Sequence, residues 1–119
     1  MELTQQILSR FVGAQLEIQS PKEDFIFRGQ IGEIKLTGRS DAQQLTIMFD
    51  WLARMTDDSE WEVVAEPGPY SISMMIYEVT FIGGERLHFS SSILGENATM
   101  FPLDGSTLDP TTVKGLVLA

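Results

Sequence analysis

His88 is the only histidine in the chain, and it precedes Ser90, Ser91 and Ser92 in the stretch ERLHFSSS. An imidazole near hydroxyls is the raw material of a general base and its nucleophile, provided that a carboxylate orients the ring. Glu78 and Glu85 are the acids that an adjoining strand would bring nearest. By alternation His88 turns away from Leu87 and Phe89, so it faces either solvent or a barrel lumen. No G-x-S-x-G elbow accompanies the serines. The set therefore reads as strand surface, and the chain as a non-enzyme without catalytic residues.

Acidic residues gather between positions 50 and 66: Asp50, Asp57, Asp58, Glu60, Glu62 and Glu66, opposed only by Arg54. Hard cations bind clustered oxygens, but an EF-hand loop needs acids on alternate positions and a sixth-position glycine, which this spacing lacks. A solvated acidic turn is expected, and no metal. The glycines Gly29 and Gly32, and the pair Gly83 and Gly84, open no helix and bring no phosphate-cradling Lys or Ser/Thr. They read as bend and turn residues, and no cofactor is expected. With no cysteine in the sequence, thiolate metal sites, disulfides and Cys nucleophiles are excluded.

The aromatic residues are the better candidates for work at a surface. Tyr and Trp give large contact area at little entropic cost and carry a polar handle for a wet edge. The expected binding surface is drawn from Trp51, Trp61, Tyr70 and Tyr77, together with His88.

The elements that must position these residues follow from composition and periodicity. At 119 residues, 43% hydrophobic and 21% charged, the chain fits one globular domain over 1–119, without room for two cores. Its 17 acids against 8 scattered bases give a net charge of −9, which argues against phosphate backbones as partners. No nucleic-acid or membrane partner is expected. The N-terminal stretch lacks the basic and apolar regions of a leader, and no apolar run approaches the roughly 18 residues that span a bilayer, so a cytoplasmic location is expected.

Helical spacing puts Ile7, Leu8, Phe11 and Val12 on one face of a helix over 5–12, with Thr4 as N-cap, Leu3 stapled to Leu8 and Gly13 closing it. From Ala14 the period changes to two. The stretch 25–54 reads as a long hairpin. Its first strand changes apolar parity between Phe27 and Ile34, which a bulge at Gly29 or Gly32 would reconcile. Its second, 45–54, alternates Leu45, Ile47, Phe49, Trp51 and Ala53; a helical stripe competes, and the β-branched and aromatic content favours the strand. Further strands are expected over 61–64, 70–82, 85–93 and 99–103. The longest of these, 70–82, changes parity at Met74 and Met75. Turns are expected at 20–24, 56–59, 67–69, 83–84, 95–97 and 104–106, and Asp109 with Pro110 starts a helical turn.

About seven short strands behind one helix point to a mostly β fold, either a small bent-strand β-barrel or a compact sandwich. If 45–54 were helical, the fold would become α+β. The fragments FRGQI (27–31) and MFD (48–50) resemble pieces of the Sm motif, and the bent strands look like Sm-like and other SH3-like small barrels. The separation of the fragments differs from that motif, and Ala53 stands where its base-contacting Asn would be. The likeness is therefore one of fold, and RNA binding is not implied. The functional expectation is a non-enzymatic interaction module for a protein or peptide, with a homodimer through a strand edge as one form. Its alternative is a small-ligand barrel or minor enzyme built on the His88 strand.

Overall fold

Seven strands follow one short helix in the computed structural model, which describes residues 3–20, 25–39, 41–64, 70–82, 85–91, 97–101 and 107–117. They are α1 (Gln5–Ser9), β1 (Gln15–Ser20), β2 (Phe25–Arg39), β3 (Ala42–Met55), β4 (Trp61–Val63), β5 (Tyr70–Ile82), β6 (Arg86–Ser91) and β7 (Asn97–Phe101). All pairings between these strands are antiparallel, in the order β2-β1-β7-β6-β5-β3-β4. Because β2 also pairs with β3, six strands close into a barrel and β4 is an extra strand laid beside β3. Closure satisfies edges that an open sheet would expose, and it removes both the sandwich and the α+β alternatives. The turns expected at 21–24, 67–69, 83–84, 95–96 and 104–106 lie outside the described residues.

The helix is shorter than its periodicity implies. Thr4 caps it by accepting from the Ile7 N–H at 3.2 Å, but after Ser9 the chain tightens into three-residue bonds, Arg10 to Ile7 and Phe11 to Leu8. That tightening rotates Val12 to the surface, where it is 51% exposed, instead of onto the apolar face. Gly13 then takes φ +87°, and its N–H bonds the Ile31 carbonyl. A helix this short is unstable alone. It is held because Leu3, Leu8 and Phe11 join the barrel's core, while Gln5 bridges Ile34 and Leu36 of β2.

Inside the barrel lie Leu16, Ile31, Leu45, Ile47, Phe49, Leu87, Phe89 and Met100, each fully buried. A side chain of this kind contributes about 1.5–3 kcal/mol on burial, so this filling is what makes the closed form favourable. The interior is thus packed with side chains, as a barrel of this strand number requires.

Two irregularities bend the long hairpin. Opposite Ile31 and Gln30 of β2, β3 spends an extra residue, Asp50; opposite Phe49 and Met48 of β3, β2 spends one, Gly32. The bulge expected at Gly29 or Gly32 is therefore at Gly32. Gly29 serves another purpose: a Cβ there would sit 2.5 Å from the Phe49 ring. The Asp50 bulge overturns the simple alternation expected for 45–54. Leu45, Ile47, Phe49 and Leu52 point inward, but Trp51 and Ala53 point outward.

The outward Trp51 is still only 6% exposed, because the C-terminal segment crosses the outside of the barrel there. Trp51, Ala53 and Val113 form a second apolar cluster with Trp61, Val63, Leu108 and Leu116 against it. Val63 donates to the Lys114 carbonyl at 2.9 Å and Lys114 to that of Trp61 at 2.8 Å, so the segment adds a parallel bridge to β4. The Gln15 side-chain amide holds it from the barrel wall, donating to Leu108 O and accepting from Leu108 N, each at 2.7 Å. Asp109 caps the helical turn that was expected from Asp109 and Pro110, which is a single 3₁₀ turn, Pro110–Thr112. Among the described residues no helix is long and apolar enough to cross a membrane.

Candidate binding surface

The five residues expected to form one surface divide among four places. Trp51 and Trp61 belong to the cluster under the C-terminal segment, where Trp51 is buried and Trp61 half-buried. Tyr70 packs against the barrel core, and its hydroxyl donates to the Val64 carbonyl. Tyr77 is 50% exposed on β5. His88 is half-buried on the outer wall, with Nδ1 3.1 Å from Thr99 Oγ1.

The strand ladders explain the surroundings of His88. Thr80, His88, Thr99, Glu17 and Arg28 are successive cross-strand partners over β5, β6, β7, β1 and β2. Residues so paired point to one face, here the outside of the barrel. His88 thus has threonines as its direct neighbours. The Glu17 carboxylate instead accepts from Arg28 Nη2 at 2.9 Å, in a half-buried ion pair. The Arg28 guanidinium also stacks 4.4 Å from the Phe101 ring centroid, with that of Arg86 at 5.0 Å. These contacts brace β1, β2 and β7 as part of the wall.

The acids of 50–62 fall in different places too. Thr56 to Glu60 forms the β3–β4 turn, in which Asp57, Asp58 and Glu60 are exposed and Ser59 takes φ +59°. Glu62 pairs with Arg54 across β4 and β3, and Glu66 lies outside the described residues. Among the described residues no group of three or more acidic or imidazole side chains is arranged to hold a metal ion. A shallow recess of ≈ 510 Å³, lined by Ser59, Glu60, Trp61, Thr112 and Lys114, lies between this turn and the C-terminal segment.

A second recess, ≈ 660 Å³, lies where β3 and β5 part. β3 pairs with β5 only from Gln44↔Met75 to Phe49↔Tyr70. Beyond Met75, β5 runs on to Ile82 paired with β6 on one side and, among the described residues, with no strand paired on the other. The groove beside this edge is lined by Asp41 and Gln43 from the β2–β3 hairpin and by residues 76–80. An unpaired edge presents backbone donors and acceptors to whatever lies next to it.

Within the edge β5 carries a bulge. Tyr77 pairs with Ser90 and Thr80 with His88, so Glu78 and Val79 together face Phe89. Glu78 adopts φ +47°, which accommodates the extra residue. Ile72, Met74 and Ile76 point inward before the bulge, Val79 and Phe81 after it. The parity change expected at Met74 and Met75 is therefore at Glu78. Its sequence signal was present in the three-residue step from Ile76 to Val79 over Tyr77 and Glu78. Neither Asp41 nor Glu78 was singled out as a binding residue, because their nearness depends on where β3 leaves β5.

No protein-family model, curated protein or solved structure matches this chain.

Proposed function

We propose that the protein is a non-enzymatic interaction module that takes an extended protein or peptide segment along the open edge of β5. One observation supports this reading: a strand edge over 76–82 that is unpaired among the described residues lies beside a groove large enough for several side chains, with the half-exposed Tyr77 ring at its border. Main-chain bonds to such an edge supply affinity, and the groove supplies selectivity. The barrel's extra strand, β4, offers a comparison within the same fold. Its outer side is met by the chain's own segment at Lys114.

The test is selection from a random nonapeptide display library on the intact chain, followed by titration of the recovered peptides. Retention that weakens in Tyr77→Ala, with an unchanged circular dichroism spectrum, supports the proposal. Peptides held equally well by Tyr77→Ala, or none held, count against it. A thermal stabilisation by a small metabolite that disappears in His88→Ala would instead favour a ligand site on the β6 wall.

A further inference from the structure

The charge of the groove says more about its occupant. Asp41 and Glu78 stand on its two sides, both exposed, and no basic residue is among its lining. Arg39 is at the same hairpin end, paired with Ala42, but does not line the groove. Glu78 sits in the bulge, midway along the open edge. A strand laid there therefore passes a carboxylate at its centre and meets a second across the groove.

Resting on the reading above, we infer that the captured segment is extended and carries a Lys or Arg whose cation seats between Asp41 and Glu78. Two further observations narrow the occupant. A second copy of this chain, paired antiparallel about the middle of the edge, would set its own Glu78 against Glu78, and like charges directly opposite destabilise a strand pair. That copy also brings a net charge of −9 to a chain that already carries −9. The partner is thus a different, locally basic chain. The same features guard the edge when it is empty, since a bulge and an exposed charge are devices that discourage indiscriminate strand pairing.

The experiment uses the intact chain, the random nonapeptide library and synthetic copies of the recovered peptides, with Asp41→Asn and Glu78→Asn as variants. Both side chains are exposed, and asparagine tolerates the positive φ at position 78, so both variants should keep the fold. The recovered pool should be enriched in Lys or Arg at one central position. Each variant should weaken binding about two- to fivefold, the range for partly exposed ion pairs, and salt should weaken the parent more than the double variant. Peptides that lose binding in Tyr77→Ala but are indifferent to both charge variants would overturn the cationic occupant while leaving the edge as the site. Peptides indifferent to all three variants, or an empty pool, would overturn both. A chain that dimerises in sedimentation, more tightly as Glu78→Asn, would replace the foreign segment with a second copy.

Discussion

Gly32 and Asp50 are the two extra residues of the β2–β3 ladder, and they meet: a Cβ on Gly32 would stand 2.5 Å from Asp50 Oδ1. One bulge on each strand lets the hairpin bend without losing register over its full length, from Phe27↔Arg54 to Arg39↔Ala42. The bend allows six strands to close, and it turns Trp51 out of the barrel into the second cluster.

Alanine at the two β2 glycines should have unequal effects. At Gly32 the obstruction is the end of an exposed carboxylate that can swing away, so Gly32→Ala should cost less than about 1 kcal/mol. At Gly29 it is the Phe49 ring, fully buried, with Leu52 3.0 Å from the new Cβ, so Gly29→Ala should cost about 1–3 kcal/mol. Urea unfolding midpoints of the two variants give the order. A larger loss at Gly32 would mean that the bulge is tighter than the Asp50 contact implies.

Gln15 holds the C-terminal segment to the barrel by two hydrogen bonds to Leu108. Gln15→Ala should cost about 1–3 kcal/mol, for two partly buried backbone groups left without this partner. The change should be local. Amide exchange should quicken at Val63 and Lys114, and tryptophan emission should shift red as water reaches Trp51, while barrel amides stay protected.

Two aromatic residues that look alike in the sequence should behave differently. Trp51→Ala opens the second cluster and should lower stability by about 3 kcal/mol. Tyr77→Ala removes an exposed ring and should change stability by no more than about 0.5 kcal/mol, with its effect on binding instead. Thermal denaturation alongside peptide titration separates the two.

Asp109 accepts from the Thr111 N–H and from the Thr111 hydroxyl, and these bonds hold its carboxyl below the usual carboxylate range. A carboxyl whose folded pKa is depressed adds stability above its unfolded pKa and loses it as pH falls through the folded value. The parent should therefore melt above Asp109→Ala at pH 7, and the gap should close as pH falls below the usual carboxylate range. Asp109→Asn, which keeps a neutral cap, should show a gap from Asp109→Ala that does not depend on pH.

Much of the architecture was legible because it rests on local chemistry. Thr4 capped the helix, Gly32 marked the bend, and alternation placed Leu16, Ile18, Leu87 and Phe89 inside. What could not be read depends on contacts distant in the chain. The outward turn of Trp51 needs an extra residue at Asp50, and its burial needs a segment more than fifty positions away. The groove needs β3 to leave β5 at Met75, a matter of strand length that no periodicity carries. Hence the expected surface of five aromatic and imidazole residues is spread over four places, and only Tyr77 borders the groove.

The most direct test of the account is amide hydrogen exchange on the intact chain, with and without a saturating selected peptide. In the free protein, outward amides of 76–80 should exchange far faster than those paired with β6. Bound peptide should slow exchange there and at Asp41 and Gln43, leaving Trp61, Lys114 and the His88–Thr99 wall unchanged. Protection at the His88 wall or the Trp61 recess, with none over 76–80, would contradict the assignment of the β5 edge as the binding site.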